Sequence, residues 1–440
     1  MRVEARSGPE WPERRLAGET GAVSPAAEVP AAEDVRAEVT AWLAQAWDPD
    51  RPLPEWRALL VDSGWGCPSW PADWHGRGLP PAMDAVVAAE FERVGAVGVA
   101  SGIGMYLVAP TLLSHGSDEL RRRFLRPILT GEHSWCQLFS EPGSGSDLAG
   151  LTTRAVLDGD EWVVNGQKVW NSGAHRADYG ILLARTDWET PKHQGITYLL
   201  LPMRQPGVEV RPLRQMNGHA SFNEVFLTDA RAPADFVVDR PGDGWRVALT
   251  TLAHERSGVA TRRPRFREDG GRTVAEARAE AEAYFATYSW YPQRAGGAHL
   301  IRPEAARTGR AADPLVRQAL TEAEAWRRTT EWTTRRARAA RAAGRPPGPE
   351  GSLAKLASSA IARHCHDAHT AIAGSDGMLN GPDAPAGGLV AEVLVSTPAM
   401  SIAGGTDEIQ HNIIGERVLG LPREPDPSKD VPFREVPTNR

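Results

Sequence analysis

The spacing of apolar residues changes twice along the chain, and this change is the strongest constraint on its fold. From about residue 31 to 131, and again from about 244 to 420, apolar residues recur with helical spacing. Residues 135–238 instead form short β-prone runs separated by Asp158-Gly159 and Asn165-Gly166, dipeptides that are typical of hairpin turns. This order predicts three layers of one catalytic unit: a helical part, a sheet and a second helical part.

The same pattern sets the predicted boundaries. Residues 1–30 have no apolar periodicity, and we expect a disordered tail there. The further predicted segments are 31–132 for an N-terminal α-helical domain, 133–240 for a central β domain, 241–422 for a C-terminal helical bundle and 423–440 for a second tail. Predicted helices lie at about 117–130 with Ser117 as N-cap, 244–285, 313–343, 350–373, 387–400 and 406–418.

Composition narrows the class of protein. The 50 basic and 56 acidic residues give a net charge of −6, which disfavours a nucleic-acid-binding protein. Three cysteines form neither a disulfide framework nor a Cys-x-x-Cys zinc pair, so we expect no metal and a reducing, cytoplasmic location. No apolar run reaches the roughly 18 residues of a membrane span, and the charged N-terminus does not resemble a secretory signal.

A Gly-rich segment near the start of the β part is the first candidate site. The run from Trp135 to Ala149 contains Pro142, Gly143 and Gly145, which force a loop, and its small residues leave backbone N–H groups open. Such a loop can receive an anionic group or the polar edge of a ring. A plain Gly-rich turn between two layers explains the segment equally well.

The second candidate segment runs from Asn165 to Ala174. Trp170 and Ser172 are two residues apart, so on a predicted strand they share one face. Together they offer a flat apolar wall and a hydrogen-bond donor, which a flavin ring needs for stacking and for its N5 atom. An ordinary buried tryptophan on a strand is the alternative interpretation.

Six segments taken together resemble the acyl-CoA dehydrogenase family, in the family's order and spacing. They are Trp135–Ala149, Trp162–Ala174, Gly195–Val210, Phe222–Pro233, Gly244–Arg256 and Ile402–Gly420. The resemblance implies an α+β multidomain fold with an N-terminal α-helical domain, a central β-barrel domain and a C-terminal four-helix bundle. It also implies FAD bound between these domains and assembly into a tetramer.

The resemblance assigns cofactor contacts to residues of the β part. Leu138 and Ser140 match positions whose main chain and side chain contact the isoalloxazine ring. Trp170 matches the aromatic wall beside the flavin, and Ser172 stands where the family usually has Thr, with its hydroxyl within reach of N5. Ser146 matches a residue that bridges the cofactor and the substrate.

The resemblance also assigns roles in the C-terminal part. Thr406 and Glu408 match cofactor contacts, while Gly404 stands where many members carry the catalytic Glu. The backbone N–H of Gly404 remains available to the thioester carbonyl. Glu255 matches the family's alternative position for the base, and Arg256 resembles an arginine that shapes the substrate pocket.

Helical spacing gives Glu255 a partly apolar environment. Trp245, Leu249, Leu252 and Val259 form one predicted stripe, and Glu255 falls at its edge. Partial desolvation there would raise the carboxyl pKa above about 4.3 and make it a better base. From the helix alone, an exposed surface Glu is the alternative interpretation.

The implied activity is FAD-dependent introduction of an α,β double bond into an acyl-CoA or acyl-carrier thioester. Glu255 would take the α-proton, flavin N5 the β-hydride, and an electron-transfer flavoprotein or a similar acceptor the electrons. Two alternatives remain. One is a flavin-dependent oxidase or monooxygenase on the same scaffold, and the other is a non-catalytic partner subunit of a heteromeric acyl-CoA dehydrogenase.

The sequence departs from the family pattern in two places. Residues 257–312 lack the Arg-x-x-Phe-Gly motif that contacts the FAD of a neighbouring subunit, and 371–377 replace a Gln-containing Gly-Gly loop. Either a different subunit donates these contacts, or residues 262–312, which include Tyr288 to Tyr291, rebuild the site for a specialised enzyme. A base at Glu255 resembles members that accept branched or bulky acyl chains.

Overall fold

The structure, a computed structural model, describes residues 30–255, 263–342, 348 and 350–437. Within these ranges the chain forms a helical domain, then a curled sheet, then a second helical region. This order confirms the predicted α+β multidomain fold. The predicted N-terminal tail lies outside the described residues except for Pro30.

Helices packed around a tryptophan core form the N-terminal domain. The ring of Trp56, which is fully buried, lies 5.6 Å from that of Trp42 and 4.7 Å from that of Trp47. Ser117 caps the last helix as predicted, with its hydroxyl accepting a hydrogen bond from a first-turn amide. The helices are α1 (Ala32–Ala46), α2 (Leu53–Ser63), α3 (Met83–Val94), α4 (Ala109–His115) and α5 (Asp118–Thr130).

A seven-stranded sheet forms the central domain. Its hydrogen-bonded order is β1-β4-β2-β3-β7-β6, and β5 pairs with β4. Strands β4 and β5 are buried along nearly their whole length, because helices cover one face and residues of other strands pack on the other face. The strands are β1 (Trp135–Leu138), β2 (Arg154–Asp158), β3 (Glu161–Lys168), β4 (Tyr179–Arg185), β5 (Ile196–Pro202), β6 (Val208–Leu213) and β7 (Phe222–Pro233).

One of the two predicted hairpin turns is correct. Asp158-Gly159 turns β2 into the antiparallel β3. The turn predicted at Asn165-Gly166 is wrong, because β3 continues through it with a bulge opposite β7. A Cβ atom at Gly166 would lie 2.4 Å from the Thr153 hydroxyl oxygen, so the glycine allows two segments to approach closely instead of making a turn.

The helix predicted over about 244–285 is wrong, because two separate helices occupy this part of the chain. Helix α6 (Gly244–Glu255) packs on the sheet, and α7 (Arg272–Phe285) packs on the N-terminal domain. Residues 263–271, which include Pro264 and Gly270-Gly271, precede α7 and are not helical. Glu280 of α7 anchors this helix by pairing with the buried Arg57 of α2, 2.6 Å away between Oε2 and Nη1.

The remaining helices form the C-terminal bundle around α11. The helix predicted over about 387–400 is divided in two, with Pro398 opening the second piece. The helices are α8 (Tyr291–Arg294), α9 (Ile301–Arg307), α10 (Pro314–Ala342), α11 (Glu350–Ala373), α12 (Leu389–Ser396), α13 (Pro398–Ile402) and α14 (Asp407–Arg417).

One part of the bundle is long and apolar enough, by length and composition, to cross a membrane. This stretch is Ala386–Arg417. The structure divides it among α12, α13 and α14, of which the longest has 11 residues. A spanning helix needs about 20 continuous residues, so these helices fit the bundle better than a bilayer.

Candidate active site

A buried ion pair holds the Gly-rich loop that follows β1. Glu141 Oε1 lies 2.8 Å from Lys168 Nζ on β3, and the two side chains are 6% and 0% exposed. The carboxylate also accepts hydrogen bonds from the amides of Thr152, at 2.7 Å, and Thr153, at 2.8 Å. Glu141 therefore ties the beginning of the loop to its end and to the neighbouring strand.

These contacts keep Glu141 ionised. Burial alone would raise its pKa, but the Lys168 ammonium and the hydrogen bonds from Thr153 and Thr152 outweigh burial and lower the pKa to about 2. A carboxyl whose pKa is lower in the folded protein than in the unfolded chain, about 4.3, stabilises the fold above the unfolded value. That stability is lost as the pH falls towards 2.

The predicted residues of this loop lie in different environments. The side chain of Leu138 is fully buried in the sheet core, so only its main chain could contact a cofactor. Ser140 is half-buried, and its carbonyl accepts a hydrogen bond from the Val169 amide at 2.9 Å. Ser146 is exposed at the tip, beside the buried Ser144, whose hydroxyl closes the loop internally.

Trp170 and Ser172 lie in a turn after β3 and not on a strand as predicted. Trp170 has φ +64°, an uncommon conformation for a residue other than glycine. Its indole is 55% exposed and meets the ring of Phe222 edge to face at 5.5 Å. Between them, the buried Asn171 donates a side-chain hydrogen bond to the Gln137 carbonyl at 2.7 Å, which fixes the turn against β1.

Glu255 ends α6 and approaches the edge of this site. It is half-buried, and its Oε2 accepts a hydrogen bond from the side-chain amide of Gln137 at 3.3 Å. Gln137 thus contacts both the turn at Asn171 and the predicted base. The structure therefore brings Glu255 together with the β-domain residues that the sequence grouped separately.

The apolar stripe predicted for α6 is correct in part, because Trp245 and Leu252 are half-buried and pack against the core, while Val259 lies outside the described residues. Leu249 is 46% exposed, whereas the buried residues are Gly244, Val247, Ala248 and Thr251. Thr251 is buried because its hydroxyl pairs with those of Thr111 and Tyr198 on the elements opposite. A spacing of three to four residues places Glu255 in line with this buried face.

Aromatic residues from the end of α7 to the start of α8 form a wall beside the site, within the range 262–312 for which one of the two alternatives predicted a rebuilt site. Arg176 fixes this segment by donating to the Ala283 carbonyl at 2.7 Å and to the Thr287 hydroxyl at 3.0 Å. The high density of aromatic residues in this short segment was the sequence signal that could have identified the wall. The wall consists of Tyr284, Phe285, Tyr288, Trp290 and Tyr291, and Trp290 contacts Phe222 at 6.1 Å between ring centroids.

The tyrosines of this wall interact with the predicted site residues. Burial raises the pKa of the Tyr288 phenol, and the Glu255 carboxylate raises it further, while hydrogen bonds with Tyr284 and Ser172 oppose the increase. Burial, together with Glu255, raises the pKa of Tyr291 to about 12. Both phenols therefore keep their protons at neutral pH and can act as hydrogen-bond donors.

The predicted C-terminal residues belong to the bundle. Gly404 is exposed with φ +70°, Thr406 caps α14, and Glu408 is exposed in its first turn. Helix α13 brings this loop towards the aromatic wall, because Met400 Sδ lies 3.2 Å from Nε of Arg294 on α8.

Two further predictions concern Arg256 and metals. Arg256, the predicted pocket arginine, lies outside the described residues. Across the described ranges, no group of three or more His, Cys, Asp and Glu residues is arranged to hold a metal ion.

Sequence and structure comparisons identify the family. Models of the acyl-CoA dehydrogenase N-terminal, middle and C-terminal domains match residues 26–132, 136–230 and 298–419. The chain is 40% identical over 378 residues to acyl-CoA dehydrogenase IpdE1 of Mycobacterium tuberculosis, covering 84% of this chain and 88% of that protein. The chain belongs to the acyl-CoA dehydrogenase family. It is therefore an oxidoreductase, as the sequence predicted.

Two similar solved structures are complexes by name. The Tcur3481-Tcur3483 steroid ACAD is 26% identical with a TM-score of 0.62, over 89% of this chain and 98% of that one. The ChsE4-ChsE5 complex from Mycobacterium tuberculosis is also 26% identical, with a TM-score of 0.58, over 91% of this chain and 100% of that one. The aromatic wall lies between the middle and C-terminal family matches, within the range 257–312 that lacks the Arg-x-x-Phe-Gly motif.

The buried ion pair generates a stability prediction. Glu141→Gln should lower the free energy of unfolding by about 3–5 kcal/mol, because it leaves the Lys168 ammonium buried without a counter-charge. The matched control Glu209→Gln removes an exposed pair with Arg211 and should leave the free energy of unfolding nearly unchanged. Urea unfolding at pH 7 measures both variants, and equal losses would contradict the role assigned to Glu141.

Proposed function

We propose that this acyl-CoA dehydrogenase uses FAD to introduce an α,β double bond into an acyl thioester, with Glu255 as the base. The observation that carries the proposal is the position of Glu255, half-buried on the sheet-facing side of α6 and in contact with Gln137. The phenols of Tyr288 and Tyr291 are close enough to this carboxylate for its charge to raise their pKa. A carboxylate in such a partly desolvated place is suited to remove an α-proton.

The residues around Trp170 fit a flavin. Its exposed indole offers a stacking surface, and the buried Oδ1 of Asn171 has no hydrogen-bond partner within the described chain. A side chain added at Gly145 or Gly173 would meet no atom within 4 Å, so the loop and the turn leave open space. The residues that we expect to hold the cofactor are Leu138 through its main chain, Ser140, Ser146, Trp170, Ser172, Thr406 and Glu408.

Ser172 can serve the cofactor while it remains bonded to the aromatic wall. A serine hydroxyl carries one donor and two acceptor sites. If it accepts a hydrogen bond from Tyr288, its own O–H stays free to donate to the flavin N5 atom. FAD, when bound, supplies the hydride acceptor for the β-hydrogen.

The chain's own residues then divide the remaining work. Glu255 takes the α-proton, and the Gly404 N–H is available to the thioester carbonyl as negative charge develops on its oxygen. Gly404 is exposed in its loop, which leaves it accessible to a substrate. Gln137 and the tyrosines limit the access of water to the carboxylate and orient it.

The role of Glu255 is tested by Glu255→Gln. This change keeps the size and the hydrogen bond with Gln137 but removes the base, so the rate of flavin bleaching should fall by at least about 10²–10⁴-fold. Anaerobic single-turnover absorbance with an accepted acyl-CoA measures it, and FAD content should hardly change. The control Glu282→Gln removes an exposed carboxylate of α7 and should bleach at the parent rate. Parent-rate bleaching by Glu255→Gln would exclude it as the base.

We further propose a bulky, ring-containing acyl group as the substrate. Two observations support it: five aromatic residues line the wall where the family motif is missing, and the Tcur3481-Tcur3483 structure is named a steroid enzyme. Flat aromatic rings make large contacts with a rigid alicyclic skeleton at little entropic cost. Protonated phenols can also donate hydrogen bonds to oxygen substituents on such rings.

Competition between two acyl-CoA thioesters tests this preference. A thioester of a steroid side-chain acid should have a kcat/KM at least about tenfold above that of a straight-chain acyl-CoA, since about 1.4 kcal/mol of differential binding suffices. Tyr291→Ala should reduce the value for the steroid thioester more than that for the straight chain. Equal kcat/KM values for both substrates in the parent enzyme would refute the preference.

We also propose that the chain works as part of a heterotetramer and passes its electrons to an electron-transfer flavoprotein or a similar acceptor. Both solved relatives are named as pairs of proteins. The motif that would contact the FAD of a neighbouring subunit is missing from 257–312, and a different subunit could supply that contact. Exposed apolar side chains on the bundle, Ile402, Leu419 and Leu421, at 64%, 67% and 56%, offer a surface for such a subunit.

Assembly is tested by purifying the chain alone and together with a homologous chain encoded nearby. Mass photometry should show a heterotetramer of two copies of each, with FAD content and turnover well above those of the chain alone. The reason is that each cofactor site then receives contacts from its neighbour. A lone monomer with full FAD content and full turnover would contradict the proposal.

A further inference from the structure

The C-terminal segment returns to the β domain and covers a buried arginine. Phe433 is 1% exposed, and its amide donates to the Thr190 carbonyl at 3.0 Å. Its ring centroid lies 3.4 Å from the guanidinium carbon of Arg185 and 5.4 Å from the ring of Trp188. This segment, predicted only as a tail, begins beyond residue 419, where the family match ends.

Arg185 depends on this cover because its side chain is buried at the end of β4. Its guanidinium donates to the carbonyls of Ala149 at 2.7 Å, Lys192 at 2.9 Å and Leu151 at 3.2 Å. Of the residues that the structure describes, no carboxylate lies within ion-pair distance of it. Burial lowers its pKa to about 10 although the more distant carboxylates of Glu141, Asp147 and Asp187 act in the opposite direction, and the ring face of Phe433 adds a direct contact that stabilises the cation.

Arg185 in turn holds the C-terminal side of the loop that carries Ser146. Two of its carbonyl partners belong to residues 149–151, directly after the tip of the loop. The third belongs to Lys192, whose ammonium lies 3.0 Å from Asp147 Oδ1. A shift of the guanidinium would therefore disturb the loop from two directions at once.

We propose that Phe433 is a positioning residue that fixes the Ser146 loop by capping Arg185. The C-terminal segment thereby contributes to a site that it does not touch. The consequence for binding rests on the proposed function, in which Ser146 meets the cofactor and the substrate. The mechanical part, from Phe433 to Arg185 to the loop, rests on the contacts above.

Hydrogen exchange of the full-length protein, with its partner subunit if one is needed, tests the mechanical part. Phe433→Leu keeps an apolar side chain but removes the aromatic face, so amides of residues 142–152 should exchange about tenfold faster, while those of α5 are unchanged. Phe433→Tyr keeps the face and should restore parent exchange. The control Arg434→Ala removes an exposed pair with Glu189 in the same segment and should exchange like the parent.

Binding is measured on the same variants by flavin fluorescence. The dissociation constant for FAD should rise about tenfold in Phe433→Leu and return to the parent value in Phe433→Tyr. Unchanged exchange of 142–152 in Phe433→Leu would overturn the proposal, whether or not FAD binding changes. A parent protein that takes up no FAD would refute the proposed function. The exchange result would still decide whether Phe433 fixes the Ser146 loop through Arg185.

Discussion

The pairing of Glu141 with Lys168 is the interaction on which the site depends. A buried carboxylate that accepts amide hydrogen bonds and an ammonium at once is tolerated only where its geometry is complete. This requirement fixes the Gly-rich loop, whose glycines would otherwise let it take many conformations. Arg185 repeats the same principle at the far end of the loop, with carbonyls in place of a carboxylate. Two buried cations therefore hold a loop that has little apolar surface of its own.

The site is assembled from parts that are far apart in sequence. Gln137 on β1 joins the turn at Asn171 to Glu255 on α6, and the aromatic wall closes the same space from α7 and α8. Because the residues of the site come from different layers, no single layer contains the whole site. The resulting environment combines a carboxylate, protonated phenols and an exposed indole, and these are the groups that the proposed thioester substrate would meet.

Sequence reasoning succeeded where a local pattern decides the structure. The order of the layers, the cap at Ser117, the turn at Asp158-Gly159 and the family itself could all be predicted.

Prediction from the sequence failed where tertiary contacts override the local pattern. Thr251 looks polar but is buried among other hydroxyls, so the buried face of α6 was misassigned. Trp170 does not lie on the predicted strand, because its φ is positive and the side-chain amide of Asn171 holds the turn against β1. The rings of the aromatic wall follow neither helical nor strand spacing, so the sequence pattern could not locate them. Their position depends on contacts of this segment with Arg176.

The separate anchoring of α6 and α7 has a consequence for how such enzymes diversify. Helix α6, which carries Glu255, is fixed by the sheet through Thr251, whereas α7, which leads to the aromatic wall, is fixed to the N-terminal domain through Glu280 and Arg57. The proposed base and the aromatic wall therefore have different main supports, although Arg176 also ties the end of α7 to the β domain. Under the proposed function, substitutions or insertions between residues 263 and 312 would change the acyl-binding surface with little direct effect on the position of Glu255. Selection can thus explore new acyl groups without first rebuilding the chemistry.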